Sequence, residues 1–190
     1  MARIVPKQAR AVYFLVRRIR KNGMRAAEIG VHRGETSLAL LNHIPELFLY
    51  MVDPWQTFDE THSYWQSGDA MAHYSLAQQE SCFEVAKSST GFARERRCIL
   101  RMESVAASRR IDDASLDFVF IDAEHTYPAV VSDILHWWPK LCAGGILCGH
   151  DYGTSHEVVE AVERFSQLLR LPVGVARATV WWIDKPADEC

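Results

Sequence analysis

Arg25-Ala-Ala-Glu-Ile-Gly30 reads as a short apolar strand running into a turn, and Thr36-Ser-Leu-Ala-Leu-Leu41 as the helix that follows it. Gly34 closes the turn between them, so strand, glycine-bearing turn and helix make one β-turn-α unit. The same alternation recurs outward from this stretch. Upstream, Val12, Leu15, Val16 and Ile19 repeat at helical spacing between Lys7 and Lys21, and Asn22-Gly23 supplies a stop. Downstream, Phe48–Val52 is a second strand, Cys98–Met102 a third, Phe118–Ile121 a fourth and Ile146–Cys148 a fifth, entered through a Gly144-Gly145 turn. Helices are expected over Pro128–Trp138 and His156–Leu169, and a final antiparallel strand or hairpin over Val173–Ile183, turning near Arg177. Short, continuously apolar strands separated by helices predict a doubly wound α/β fold, its parallel sheet covered on both faces.

Composition agrees with that reading. The chain has 190 residues, 48% of them apolar, which is enough for one domain with a sizeable core, and no repeat or linker divides residues 1–190. Lys plus Arg number 21 against 24 for Asp plus Glu, so the net charge of −3 supplies no basic field to draw nucleic acid or anionic lipid. No apolar run approaches the roughly 18 residues of a membrane span, and Met1–Arg10 lacks the apolar stretch of a secretory signal, so a cytoplasmic setting is expected. The five cysteines (Cys82, Cys98, Cys142, Cys148 and Cys190) contain no C-x-x-C pair and read as reduced thiols. Residues 56–90, with His62, Tyr64, Trp65, His73 and Tyr74, are too long for a simple connection and are expected to form a lid or insertion.

In an open α/β sheet, ligands bind beyond the carboxyl ends of the strands where strand order reverses. Each strand above stops at polar residues: Gly30, Asp53, Glu103-Ser104, Asp122 and His150-Asp151. All of them therefore land on one rim. The first turn, Glu28-x-Gly30-x-x-x-Gly34-x-Thr36-Ser37, lets backbone approach a ligand and offers helix-start donors. One glycine of a dinucleotide fingerprint is absent, and the Glu28 carboxylate would repel a diphosphate, so a cationic ligand suits the turn better. Asp53 is placed to accept from ribose hydroxyls, and Trp55 is read either as a stacking face for adenine or as core packing.

These segments, with Asp53-Pro54-Trp55, Ile121-Asp122-Ala-Glu-His125-Thr-Tyr127 and Lys140-Leu-Cys-Ala-Gly144-Gly145 through Gly149-His150-Asp151-Tyr152, resemble the class I S-adenosylmethionine-dependent methyltransferases over roughly residues 25–183. The Asp122 and Asp151 segments resemble those of the metal-dependent O-methyltransferases, of the macrolide-sugar and catechol type. The resemblance implies a Rossmann-like, seven-stranded, mostly parallel sheet with an antiparallel last strand. It implies S-adenosylmethionine as cofactor, with Glu28, Gly30 and Gly34 around the methionine part, Asp53 at the ribose, and Glu103 and Ser104 at the adenine; the helix-start donors Thr36 and Ser37, and Trp55 in its stacking reading, complete the expected cofactor site. Asp122 closes that site and, with Asp151, is expected to hold a divalent ion, magnesium first.

The expected reaction moves a methyl group in line from a sulfonium to a hydroxyl, a poor nucleophile at neutral pH. An oxygen-bound divalent cation acidifies such a hydroxyl, and a histidine can take its proton. His125, spaced as in Asp-x-x-His, is the expected base; His150 is read as third ligand, base or structural donor. The expected partner is a small-molecule hydroxyl acceptor, a carbohydrate in one reading. A homo-oligomer touching through Trp181-Trp182 or the N-terminal helix is a further expectation. A non-catalytic module of the same fold that binds S-adenosylmethionine or a nucleotide is the alternative.

Overall fold

The computed structural model describes residues 7–176 and 179–187. Strands β1 (Arg25–Ile29), β2 (Phe48–Val52), β3 (Arg97–Leu100), β4 (Leu116–Ile121), β5 (Leu141–Gly149), β6 (Gly174–Val175) and β7 (Trp181–Asp184) form one sheet. Its order is β3-β2-β1-β4-β5-β7-β6, with β7 antiparallel to both of its neighbours and the rest parallel. Helices α1 (Lys7–Arg18), α2 (Glu35–His43), α3 (Ser63–Gln66), α4 (Leu76–Ser89), α5 (Ser104–Ser108), α6 (Tyr127–Trp137) and α7 (His156–Leu169) connect the strands. The expected doubly wound α/β fold with an antiparallel last strand is the one observed.

Alternation along the strands builds two cores. In β4, Phe118 and Phe120 face one side and meet Val12 and Leu15 of α1, Leu40 and Leu41 of α2, and Cys82 and Ala86 of α4. Val119 and Ile121 face the other side and meet Val130, Ile134 and Trp137 of α6 and Val158, Val162 and Phe165 of α7. Since β4 is buried at all six positions, every residue of it has to be apolar or paired; Asp117 meets that demand by accepting from the Arg25 amide at 2.9 Å.

Several boundaries differ from the sequence reading for local reasons. β3 stops at Leu100, short of Met102, because its partner β2 ends at Val52, and the Met102 amide turns back onto the Leu100 carbonyl at 3.0 Å. β5 begins at Leu141, ahead of the glycines. Its register against β4 jumps from Leu116↔Leu141 to Phe118↔Ile146, so the extra residues bulge out and Gly144 takes a φ of +75° there. Within the 56–90 segment, Leu76–Ser89 is a regular crossover helix, opened by a Ser75/Gln78 capping box, that buries Cys82 and Ala86 in the core.

Trp181, read as a contact surface, is only 1% exposed and belongs to the core, while Trp182 packs against its edge beneath Arg18. The N-terminal helix likewise buries its apolar stripe within the chain, leaving Phe14 outside. Near the end of α1, Arg18 pairs with Asp184, Arg20 with Glu46 and Lys21 with Asp117, while Arg17 lies over the Tyr13 ring. Cys82, Cys98, Cys142 and Cys148 are free thiols. The turn expected at Arg177 and the thiol of Cys190 lie outside the described residues. Among those described, no helix is long and apolar enough to cross a membrane.

Candidate active site

The strand ladders continue one residue past each strand, and this sets the site. Gly30 donates to the Val52 carbonyl at 2.9 Å, Asp53 to Leu100 at 3.2 Å, Asp122 to Ile29 at 2.7 Å and His150 to Ile121 at 3.1 Å. Five strand ends are thereby locked side by side where the order reverses between β1 and β4. Beyond them opens a cavity of about 630 Å³, lined by Glu28, Gly30, Thr36, Asp53, Glu103, Ser104, Asp122, His125, His150 and Asp151. The convergence expected from the sequence is therefore present in space.

Gly34, Ser37 and Trp55 do not line that cavity, and each has a structural role in its place. Gly34, at φ +74°, starts α2 in the left-handed region, where a Cβ would press on Ala86 at 3.1 Å. Ser37 is fully buried and donates to the Glu28 carboxylate. Trp55 is 2% exposed: its ring meets Phe83 edge-on and its indole N–H donates to the His32 carbonyl at 2.8 Å. Its face is spent on the core, so it offers no stacking surface to a ligand. Gly30 also has an internal reason, since a Cβ there would lie 2.1 Å from the Asp122 carbonyl oxygen.

Asp53 clasps two loops. Its Oδ2 accepts from the Val31 and His32 amides at 3.0 and 2.8 Å, and its Oδ1 from the Trp55 amide at 2.8 Å. Burial pushes its pKa up against those three bonds. Glu28 is 2% exposed, and burial, helped by the charges of Asp122 and Asp53, pushes its carboxyl up to about 8 despite the Ser37 bond. Two further groups were not singled out by the sequence reading. Asp133 of α6 accepts from Ser104, which itself accepts from the Trp137 indole at 2.9 Å; burial pushes Asp133 up to about 6. Gln56 donates to Glu103. Both line the cavity.

The same cavity holds an acidic cluster around one imidazole. Asp122, His125 and Asp151 bring one ligand atom each within 4.8 Å of one another. His125 Nε2 is 3.1 Å from Asp151 Oδ2 and 3.9 Å from Asp122 Oδ1, yet it is buried and without an aligned hydrogen-bond partner. A buried imidazole nitrogen facing two carboxylates, with no hydrogen bond of its own, is the donor set a divalent cation takes. Burial opposes charge on His125, but the three carboxylates around its ring, Asp122, Asp151 and Asp69, override it and push the pKa up to about 11. Asp151, at φ +60°, is held well below the usual carboxylate range by His125 and His150.

His150 stands beside this set. Its Nδ1 lies 3.0 Å from Asp151 Oδ2 and its Nε2 3.2 Å from Thr179 Oγ1, so both ring nitrogens are engaged by protein. The cluster within 4.8 Å comprises Asp122, His125 and Asp151, and His150, read as third ligand, base or structural donor, stands beside it with Nδ1 also 3.6 Å from Asp122 Oδ1. The segment between β2 and α4 completes the wall with Phe58, His62, Tyr64 and Met71.

A family model described as a methyltransferase domain matches residues 27–152, a span running from β1 to just past Asp151. Similar solved structures include the O-methyltransferase NovP, at 13% identity and TM-score 0.69, covering 95% of this chain and 78% of that one. A Staphylococcus aureus protein described as a candidate caffeoyl-CoA O-methyltransferase aligns at 12% identity and TM-score 0.64, covering 94% of this chain and 82% of its own. Rv0187 of MTB, solved with its cofactor bound, aligns at 16% identity and TM-score 0.63, covering 100% and 84%. At these identities the structures speak for the fold alone. A search of curated proteins finds no match.

Proposed function

Because the chain belongs to the methyltransferase-domain family, as a class I S-adenosylmethionine-dependent methyltransferase, we propose that it transfers the methyl group to a hydroxyl of a small molecule with the aid of a divalent cation. The observation that carries this reading is the Asp122/His125/Asp151 set on the wall of the cofactor cavity. Carbon and amine acceptors do not need such a set; a neutral hydroxyl, far from ionised at neutral pH, gains most from it.

In this reading Glu28 and the Gly30–Thr36 turn hold the cationic end of the methionine part, and Asp53 faces the ribose. Glu103, Ser104 and Asp133 border the adenine. Asp122, His125 and Asp151 hold the cation, which when bound acidifies and orients the acceptor hydroxyl. His125 faces the Asp151 and Asp122 carboxylates through Nε2, and the role we assign to it is ligand in preference to base, the cation taking the place of the Nε2 proton. One imidazole among the ligands favours iron or zinc over magnesium, while the two carboxylates also suit manganese. His150 orients Asp151, and Thr179 holds His150 from behind.

The segment 56–74 acts as a lid. Phe58, Tyr64 and Met71 supply apolar surface for the acceptor and keep water from the transferring methyl group. A sugar hydroxyl is one acceptor of this class, and a phenol is another. The test is release of S-adenosylhomocysteine from S-adenosylmethionine with a panel of small hydroxyl compounds, matched amines and thiols, with and without added Mn²⁺. Cation-stimulated turnover confined to hydroxyl acceptors is expected. Turnover on amines that ignores the cation overturns the proposal.

A further inference from the structure

Asp69 lies in the 56–74 segment, far along the chain from any strand end. Its Oδ1 accepts from the Met71 amide at 2.9 Å and caps the short turn Ala70–His73, and its carboxylate also engages the Tyr64 phenol. Its Oδ2 reaches across to His125 Nδ1 at 3.4 Å. The other nitrogen of that ring is the one that faces Asp151 and Asp122. One residue earlier on the same loop, Glu124 accepts from Ser63 at 3.0 Å, so two consecutive residues after β4 each hold one residue of the overlying segment.

The segment has little else to order it. Between Gln56 and Ser75 only Ala72 is buried, and α3 buries nothing. Apolar packing therefore contributes little there, and its polar ties decide whether it is closed. A histidine with a carboxylate on one ring nitrogen is fixed in both ring orientation and tautomer, so that the other nitrogen presents a defined lone pair.

We propose that Asp69 is a positioning residue: through Nδ1 it orients His125 toward Asp122 and Asp151, and so ties closure of the 56–74 segment to completion of the ligand set. The inference rests on the ligand set proposed above. Ordering the lid and aiming the imidazole become one event, and the site is complete only when covered.

The test is Asp69→Asn in the full-length protein, which keeps an oxygen for the Met71 amide while removing the charge that faces His125. Four quantities are compared with wild type: S-adenosylhomocysteine affinity, Mn²⁺ affinity by electron paramagnetic resonance, hydrogen exchange over 56–74, and kcat against KM. Expected are unchanged S-adenosylhomocysteine binding, Mn²⁺ affinity and kcat each lower by about 10- to 100-fold, faster exchange over 56–74, and partial recovery in Asp69→Glu. In a His125→Ala background the same substitution has no further effect on exchange. Wild-type exchange in Asp69→Asn overturns the inference. So does an equal loosening in the His125→Ala background, because Asp69 then acts on its own turn alone. A wild-type protein that binds S-adenosylhomocysteine but no Mn²⁺ overturns the cation reading, and the exchange comparison still decides whether Asp69 acts through His125.

Discussion

Gly30 and Asp122 occupy space that admits no side chain between them: a Cβ on Gly30 would stand 2.1 Å from the Asp122 carbonyl oxygen, with φ already at +85°. The ends of β1 and β4 approach closely because the Asp122 amide extends the ladder onto Ile29. Gly30→Ala must therefore push the two strand ends apart. The left-handed backbone costs about 1–2 kcal/mol and the overlap about 1–3 kcal/mol. A loss of about 2 kcal/mol or more in unfolding free energy, read from denaturant titration, is expected together with loss of S-adenosylhomocysteine binding. A stable variant that binds normally would show that the two ends part freely.

Glu28 gives a pH signature. Its folded-state pKa of about 8 lies above the ordinary 4.5, so the fold prefers the neutral acid, and this contribution to stability is lost as pH rises toward and through 8. A cationic ligand prefers the ionised form. S-adenosylhomocysteine affinity should then strengthen by up to about tenfold between pH 6.5 and 8 as ionisation becomes easier. In Glu28→Gln the slope should vanish and binding should be weak throughout. Calorimetry across this range decides it, and parallel pH profiles in the two proteins would count against contact between Glu28 and the cationic group.

Removal of divalent ions tests the cluster. After exhaustive chelation turnover should fall by at least about 100-fold, with Mn²⁺ restoring more activity than Mg²⁺ at equal concentration. Asp151→Asn should lower Mn²⁺ affinity while leaving S-adenosylhomocysteine affinity within about twofold, because its partners are His125, His150 and Thr154. Undiminished turnover in chelator would remove the cation from the mechanism.

Trp55 separates packing from stacking. Its ring is buried against Phe83, with its N–H on the His32 carbonyl, so Trp55→Ala should cost about 3–5 kcal/mol of stability. Trp55→Phe retains most of the buried area, loses one hydrogen bond, and should bind S-adenosylhomocysteine as wild type does. Thermal unfolding and calorimetry read the two effects separately; a binding defect in a fully stable Trp55→Phe would restore the stacking role.

The rim was legible because each parallel strand announces itself as a short apolar run, and the residue after it, Gly30, Asp53, Asp122 or His150, takes its place from strand register alone. Side-chain direction was less legible. Trp55 follows a strand end yet turns inward at φ +43°, a local backbone choice that neither propensity nor period encodes. His125 and His150 both turn a ring nitrogen toward Asp122 and Asp151, and only the partner on the far nitrogen, Asp69 for one and Thr179 for the other, tells them apart, which sequence spacing does not encode. Asp133 and Asp69 escaped notice for the same reason: their meaning depends on Ser104 and His125, 29 and 56 residues away.

Main-chain pairing, not side-chain packing, spaces the groups at the strand ends. Adjacent strands stand about 4.8 Å apart whatever their side chains, so the floor that grips the donor is as invariant as the sheet itself. The covering between Gln56 and Ser75 carries almost no core, and so long as the ties through Asp69 and Gln56 are kept it can drift in length and composition without disturbing that floor. Such a division lets evolution, or an engineer grafting a foreign loop onto β2 and α4, exchange one acceptor for another while the methyl supply stays untouched.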